Sequence, residues 1–266
     1  MKTRIISALI AFAIFIPIFL IGETVFNIAM FVLAIMGLTE FIDMKATKKK
    51  TPGFIKFISY TFLLLIMSFG IQSENVTFTI DYTILSALFL SFLLPTVLYH
   101  DQEKYSINDA FYLIGGVFFL SLSMLLLICL RAQSLYIIIF LFLITIITDT
   151  FALITGILIG KHKLLEKISP KKTWEGLIGG TIMGVFIGTV FYYNVIDPEV
   201  SIWLIILVTT FLSIIGQFGD LFFSAIKRYY NKKDFSNIMP GHGGVLDRLD
   251  SIIFVLLGFI FLMRFL

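Results

Sequence analysis

The sequence predicts an all-α, polytopic membrane protein, on three observations. Of 266 residues, 59% are hydrophobic and only 14% are charged, whereas soluble domains carry about a quarter charged residues. The mean hydropathy is +1.01. Apolar runs of the roughly 17–25 residues that cross a bilayer recur along the whole length. Nine spans are predicted, at residues 5–22, 24–42, 54–72, 82–99, 111–130, 134–159, 175–194, 200–226 and 251–266. No linker is long enough to divide domains, so residues 1–266 read as a single integral membrane domain. Its N-terminal helices occupy 1–130, and 134–266 carry most of the polar motifs.

The first span follows Lys2 and Arg4 and lacks a small-residue cleavage site after Ile21–Gly22, so it is expected to be retained. The connections then fall into two sets. Eighteen of the 20 lysines and arginines lie in or beside the N-terminus, 43–53, 100–110, 160–174 and 227–250; only Arg131 and Arg264 lie on the other side. Positive loops stay cytoplasmic, which places the richer set inside and the polar stretch 73–81 outside. The basic cluster in 43–53 is expected to be a topology signal that also attracts anionic headgroups. A net charge of +3 offers nothing to nucleic acid, and the single Cys129 reads as a small apolar packing residue.

Carboxylates inside a bilayer cost about 2.5–3.5 kcal/mol on insertion scales and are functional candidates. Asp149 falls about 15 residues into its span, roughly 22 Å of helix, and Asp220 about 20 residues into its own, near 30 Å. Asp247 and Asp250 open the last span. Three separate stretches thus bring acids to a similar depth toward the cytoplasmic side. A cation site with hard oxygen ligands, suited to Mg²⁺, is the leading reading. An ion-coupled transporter remains open, although such sites sit near the midplane between repeats and no repeat is visible. Gln217, Asp220, Ser224 and Lys227 or Arg228 recur at helical spacing and share a face. Span 200–226 is long enough that it must extend into the cytoplasm or break, with Gly216 and Gly219 as weak points.

Two cytoplasmic stretches look built for anions. In KHKLLEKISPKKTWEG, Pro170 can take the first helical position after a Ser169 cap, so Lys171, Lys172 and the helix N-terminus would face one space. In PGHGG, three glycines in four residues permit close backbone approach to a ligand. Lys227, Arg228, Lys232, Lys233 and Arg248 surround it in sequence. His242 reads as a general base, a phosphate donor or a structural residue.

From Ser224 to Asp250 the chain reads SAIKR, four residues, then KDFSNIMPGHGGVLDRLD. This resembles the signature of the phosphatidate cytidylyltransferases, also called CDP-diacylglycerol synthases. GQFGDL at 216–221, SPKKTWEG at 169–176 and GKHKL at 160–164 are similar to that family as well. Two positions depart from its pattern. Met239 replaces another apolar residue of similar volume, and Leu153 stands where a tyrosine is usual after Asp149, which removes a hydroxyl but keeps the carboxylate. The likeness covers residues 145–255; the first half agrees only in being polytopic.

The resemblance implies transfer of the cytidylyl group of CTP to phosphatidate, in phospholipid biosynthesis. Mg²⁺ is the implied cofactor, and a second cation is left open. The lipid phosphate would attack the α-phosphate of CTP and release pyrophosphate. Asp220 and Asp247 are the expected metal ligands, with Asp149 and Asp250 as further ligands or supports, oriented by Gln217 and Ser224. Lys227, Arg228, Lys233, Arg248, Lys171 and Lys172 would hold phosphates. Gly243 and Gly244 would admit the nucleotide, Asp234 would contact nucleotide or lysine, and His242 would bind substrate. The expected setting is a bacterial plasma membrane with the site facing the cytoplasm; a homodimer is left open. The rival within the same chemistry is a CTP-dependent lipid kinase, which releases CDP instead of pyrophosphate.

Overall fold

The computed structural model describes residues 17–71, 82–238 and 243–263. The predicted outer stretch 73–81, His242 and most of the predicted first span lie outside them. The elements are α1 (Glu23–Ala46), α2 (Gly53–Ile71), α3 (Tyr82–Leu98), α4 (Ile107–Gln133), α5 (Leu135–Leu158), β1 (Lys163–Leu165), β2 (Ser169–Thr173), α6 (Trp174–Phe191), α7 (Ile202–Tyr229) and α8 (Leu246–Leu262). A π-helical turn, Tyr192–Ile196, extends α6. Among the described residues, α1, α4, α5, α6 with its extension, and α7 are long and apolar enough to cross a bilayer. Shorter apolar helices stand at Gly53–Phe69 and Tyr82–Leu98. The chain is a helical integral membrane protein.

The described residues form two compact units. One comprises Met1–Cys129 with Asp234–Val245, the other Leu130–Lys233 with Leu246–Leu266.

In the first unit α1 packs on α2 and α2 on α3. Phe41 of α1 stacks on Tyr112 of α4, their centroids 4.3 Å apart, and the Tyr112 hydroxyl donates to the Phe41 carbonyl. Helix α4 starts four residues before the predicted span, because Ser106 and Asp109 cap each other. The Ser106 N–H donates to Asp109 Oδ2 at 2.8 Å, and the Asp109 N–H to Ser106 Oγ at 3.3 Å. This is the reciprocal logic of a capping box. The same carboxylate meets Lys45 Nζ at 2.9 Å and Lys49 Nζ at 2.5 Å. Two lysines of the basic 43–53 stretch, Lys45 at the end of α1 and Lys49 just after it, therefore tie this part of the chain to α4 by ion pairs.

In the second unit α5 packs on α6, α6 on α7 and α7 on α8. Helix α6 shows why a bilayer is needed. Gly176, Gly180, Gly184 and Gly188 are buried on one side, while Ile178, Ile182, Phe186 and Val190 are exposed on the other. The glycine row lets backbones close: a Cβ at Gly180 would lie 2.5 Å from the Thr148 carbonyl oxygen of α5. Small residues serve this purpose in lipid, where apolar side chains gain nothing by leaving the acyl chains. Hydroxyls cross-link the helices, Thr148 to Ser213 at 2.7 Å and Thr189 to Thr209 at 3.1 Å.

Three expectations are corrected. Residues 160–174 contain a hairpin rather than an early helix start. Lys163 pairs with Thr173 and Leu165 with Ser169, and α6 begins only at Trp174, because Thr173 Oγ1 accepts from the Gly176 N–H. Pro170 sits in β2, where its missing N–H is tolerated at a sheet edge. Residues 131–133, predicted to be a connection, continue α4, and Ser134 alone separates it from α5 by capping Tyr136 N–H. Helix α7 runs unbroken for 28 residues; Gly216 and Gly219 are packing points, not hinges.

The buried charges of the first unit yield a stability prediction. Lys45 and Asp109 side chains are only 4% and 10% exposed. Asp109→Ala leaves Lys45 buried without its carboxylate and should cost about 3–5 kcal/mol. The check is the thermal unfolding midpoint in detergent; Lys45→Met combined with Asp109→Leu should recover much of the loss.

Candidate active site

Helices α5, α7 and α8 and strand β2 supply the polar residues of the second unit. On α7 the helical period brings Gln217, Asp220, Ser224 and Lys227 onto one face, as expected, and Gln217, Ser224 and Lys227 are buried. Gln217 Nε2 donates to Thr181 Oγ1 at 3.0 Å and to the Leu177 carbonyl at 3.3 Å, so it is held against α6. Ser224 Oγ donates to Asp220 Oδ1 at 3.3 Å.

Two ion pairs dominate. Lys172 of β2 meets Asp220 Oδ2 at 2.7 Å and also donates to the Gln217 carbonyl at 3.2 Å. Lys227 of α7 meets Asp247 Oδ1 of α8 at 2.6 Å, with side chains 9% and 4% exposed. The second pair is nearly dry, so removing either partner would cost stability. Lys171 does not share the space of Lys172, which corrects the expectation for that pair. Both lie in a strand, where successive side chains point to opposite faces, and Lys171 is exposed.

Asp149, Asp220 and Asp250 lie within electrostatic range of one another, and Asp149 also of Lys172. Asp250 Oδ1 accepts from the Ser251 N–H at 2.8 Å. Next to Asp149, Ser251 Oγ is buried and makes no hydrogen bond of good geometry. The shared depth of these acids thus corresponds to proximity on three helices. Among the described residues, no group of three or more acidic, histidine or cysteine side chains stands ready to hold an ion; Asp220 and Asp247 are each paired with a lysine. The carboxylate oxygens of Asp149, Asp220 and Asp250, brought near one another on three helices, nevertheless fit a divalent cation in their donor chemistry.

The close meeting of α7 and α8 depends on Gly219, where a Cβ would lie 2.7 Å from the Asp250 carbonyl oxygen. Arg228, exposed at the end of α7, donates from Nε to the Ile168 carbonyl at 3.2 Å and from Nη1 to the Lys232 carbonyl at 2.9 Å. The hairpin turn is thereby tied to α7. Lys233 and Arg248 are exposed. Asp234, Gly243 and Gly244 belong to the first unit. There Gly243 takes the left-handed φ of 83°, which the glycine-rich sequence anticipates, and both glycines are buried. Glu40, a buried acid of α1 beside them, is absent from the residues singled out above. It lies inside a predicted span, so the rule that flagged Asp149 applied to it equally.

Acids and lysines of β2, α7 and α8 thus meet in ion pairs inside a polytopic helical protein. Residues 2–266 match the cytidylyltransferase family, and the chain belongs to that family. It is 38% identical to the phosphatidate cytidylyltransferase of Staphylococcus haemolyticus, and 35% identical to the enzymes of that name from Staphylococcus saprophyticus and Staphylococcus aureus. Each alignment covers 96% of both chains.

Gly219→Ala tests the helix contact. The added methyl must push α7 from α8 and shift Asp220, the next residue. The expected overpacking cost is about 1–3 kcal/mol, read as a lower melting midpoint in detergent, whereas Gly115→Ala, inside α4 with nothing near its Cβ, should leave the midpoint unchanged or slightly raised.

Proposed function

We propose that this chain transfers the cytidylyl group of CTP to phosphatidate, leaving CDP-diacylglycerol in the membrane and releasing pyrophosphate. The observation that carries the reading is the pairing of Lys172 with Asp220 and of Lys227 with Asp247, both on α7 or against it, in a chain aligned over 96% of its length with an enzyme named for this reaction.

The chemistry needs little more than charge and position. A phosphatidate oxygen, already ionised at neutral pH, forms a bond to the α-phosphorus of CTP. The bond from that phosphorus to the α,β-bridging oxygen breaks, and its electron pair leaves with pyrophosphate. No strong base is required, and His242 need not act as one. Positioning and stabilisation of charge supply the catalysis. Lys172, Lys227, Arg228 and Arg248 are the cations for the phosphates, with Lys171 and Lys233 farther out. Asp220 and Asp247 would hold Mg²⁺, with Asp149 and Asp250 as further ligands or supports. Mg²⁺, when bound, would offset triphosphate charge.

The distribution of lysine and arginine supports a cytoplasmic site in a bacterial plasma membrane. CTP would then arrive from the cytoplasm and phosphatidate from the inner leaflet.

The test is purified protein in mixed micelles with CTP, Mg²⁺ and phosphatidate, followed by pyrophosphate release. Asp220→Asn and Asp247→Asn should each lower the rate at least about a hundredfold, the scale of losing a charge-stabilising group. Chelation of divalent cations should abolish turnover. Near-normal rates in both variants would sink the metal assignment, and release of CDP in place of pyrophosphate would indicate a lipid kinase.

A further inference from the structure

Glu40 lies near the C-terminal end of α1, in the half of the chain that shares only its helical character with the family resemblance drawn from sequence. It is 2% exposed. A buried carboxylate must be hydrogen-bonded to be tolerated, and two of its donors come from far along the chain. Ser236 Oγ donates to Glu40 Oε1 at 2.6 Å, and the Val245 N–H donates to the same oxygen at 2.8 Å. Gly244 lies so close that an added Cβ would collide with both carboxylate oxygens, at 2.6 Å from Oε2. All four residues belong to the first unit.

In sequence, Ser236 and Val245 bracket the PGHGG stretch, and Val245 stands two residues before Asp247. One carboxylate oxygen therefore clamps the chain on both sides of the most glycine-rich part of the signature. The collision at Gly244 supplies a steric reason for glycine there that is separate from any approach of nucleotide. Gly243, with φ 83°, needs glycine for conformational reasons.

We infer that Glu40 is a positioning residue for cytidylyl transfer: it fixes Ser236, Gly244 and Val245 and so sets the conformation of the signature segment that leads into α8. The inference rests on the function proposed above. It assigns Glu40 no contact with CTP, phosphatidate or metal. What matters is an acceptor oxygen at the reach of a glutamate side chain. Glutamine preserves that acceptor, aspartate draws it back by one methylene, and alanine removes it.

The experiment uses the full chain in mixed micelles and compares Glu40→Gln, Glu40→Asp, Glu40→Ala, Ser236→Ala and Gly244→Ala with wild type. Rates are normalised to the monodisperse folded fraction. Misplacement of a reacting group by about 1 Å can cost a hundredfold in rate. Glu40→Ala and Gly244→Ala should therefore lose at least about tenfold in kcat, with a smaller change in KM for phosphatidate. Glu40→Gln should stay within about threefold of wild type, and Glu40→Asp and Ser236→Ala should fall between. A purely structural role would lower the folded fraction but leave normalised kcat unchanged, and that result would overturn the inference. If Glu40→Ala does not fold, Ser236→Ala and Gly244→Ala decide; wild-type kcat in both would overturn it equally. Amide hydrogen exchange over residues 243–250 is read in parallel. Faster exchange in Ser236→Ala and Glu40→Asp is expected, and unchanged exchange counts against the clamp. Because exchange needs no turnover, wild-type protein that released no pyrophosphate would refute the function while leaving the clamp testable.

Discussion

Lys227 and Asp247 are 2.6 Å apart and almost fully buried, and the constraint they express governs the rest of the molecule. A charge withdrawn from water inside a helical bundle has to meet its counter-charge or a set of hydrogen-bond donors at short range. Lys227 joins α7 to α8, Lys172 joins β2 to α7, and Lys45 of α1 and Lys49 just beyond it meet the start of α4. Glu40 achieves a similar link with the Ser236 hydroxyl and the Val245 N–H among its donors. A residue suited to phosphate chemistry is in this way also a fastener of the fold. Any account of its substitution must separate lost packing from lost catalysis.

Such pairs can form only if the backbones come close, and glycine controls that distance. Gly219 brings α7 against the Asp250 carbonyl, and the row from Gly176 to Gly188 brings α6 against α5. The hydroxyl pairs Thr148–Ser213 and Thr189–Thr209 follow from the same proximity. Packing comes first in the chain of causes, and the placement of carboxylates and lysines follows from it.

The helices and the shared face of α7 were legible because hydrophobic runs and helical spacing are local. So was the shared level of Asp149, Asp220 and Asp250, which needs only a count of residues at 1.5 Å of rise. Three things were not legible, for three reasons. The hairpin at Lys163–Thr173 is short and basic, and Pro170 read as a helix start, because the Thr173 cap only becomes apparent once α6 is known to begin at Trp174. The opposite facing of Lys171 and Lys172 then follows from strand geometry. The ion pairs of Lys45 and Lys49 with Asp109 span about sixty residues of sequence, and no local pattern links them. Glu40 was open to notice as an acid within a span, but its partners lie some two hundred residues away.

The division of the signature explains why so long a contiguous stretch is needed. Ser224–Lys233 belongs to one compact unit, Asp234–Val245 to the other, and Leu246–Asp250 to the first of these again. The stretch therefore satisfies two sets of neighbours within 27 residues. Ser224 and Lys227 answer to Asp220 and Asp247. Ser236, Gly244 and Val245 answer to Glu40. A glycine in this segment can thus be favoured by a carboxylate far away in sequence, because a Cβ at Gly244 would force the Glu40 carboxylate to shift. The preference at Gly244 is steric and would hold whether or not CTP ever touches that backbone.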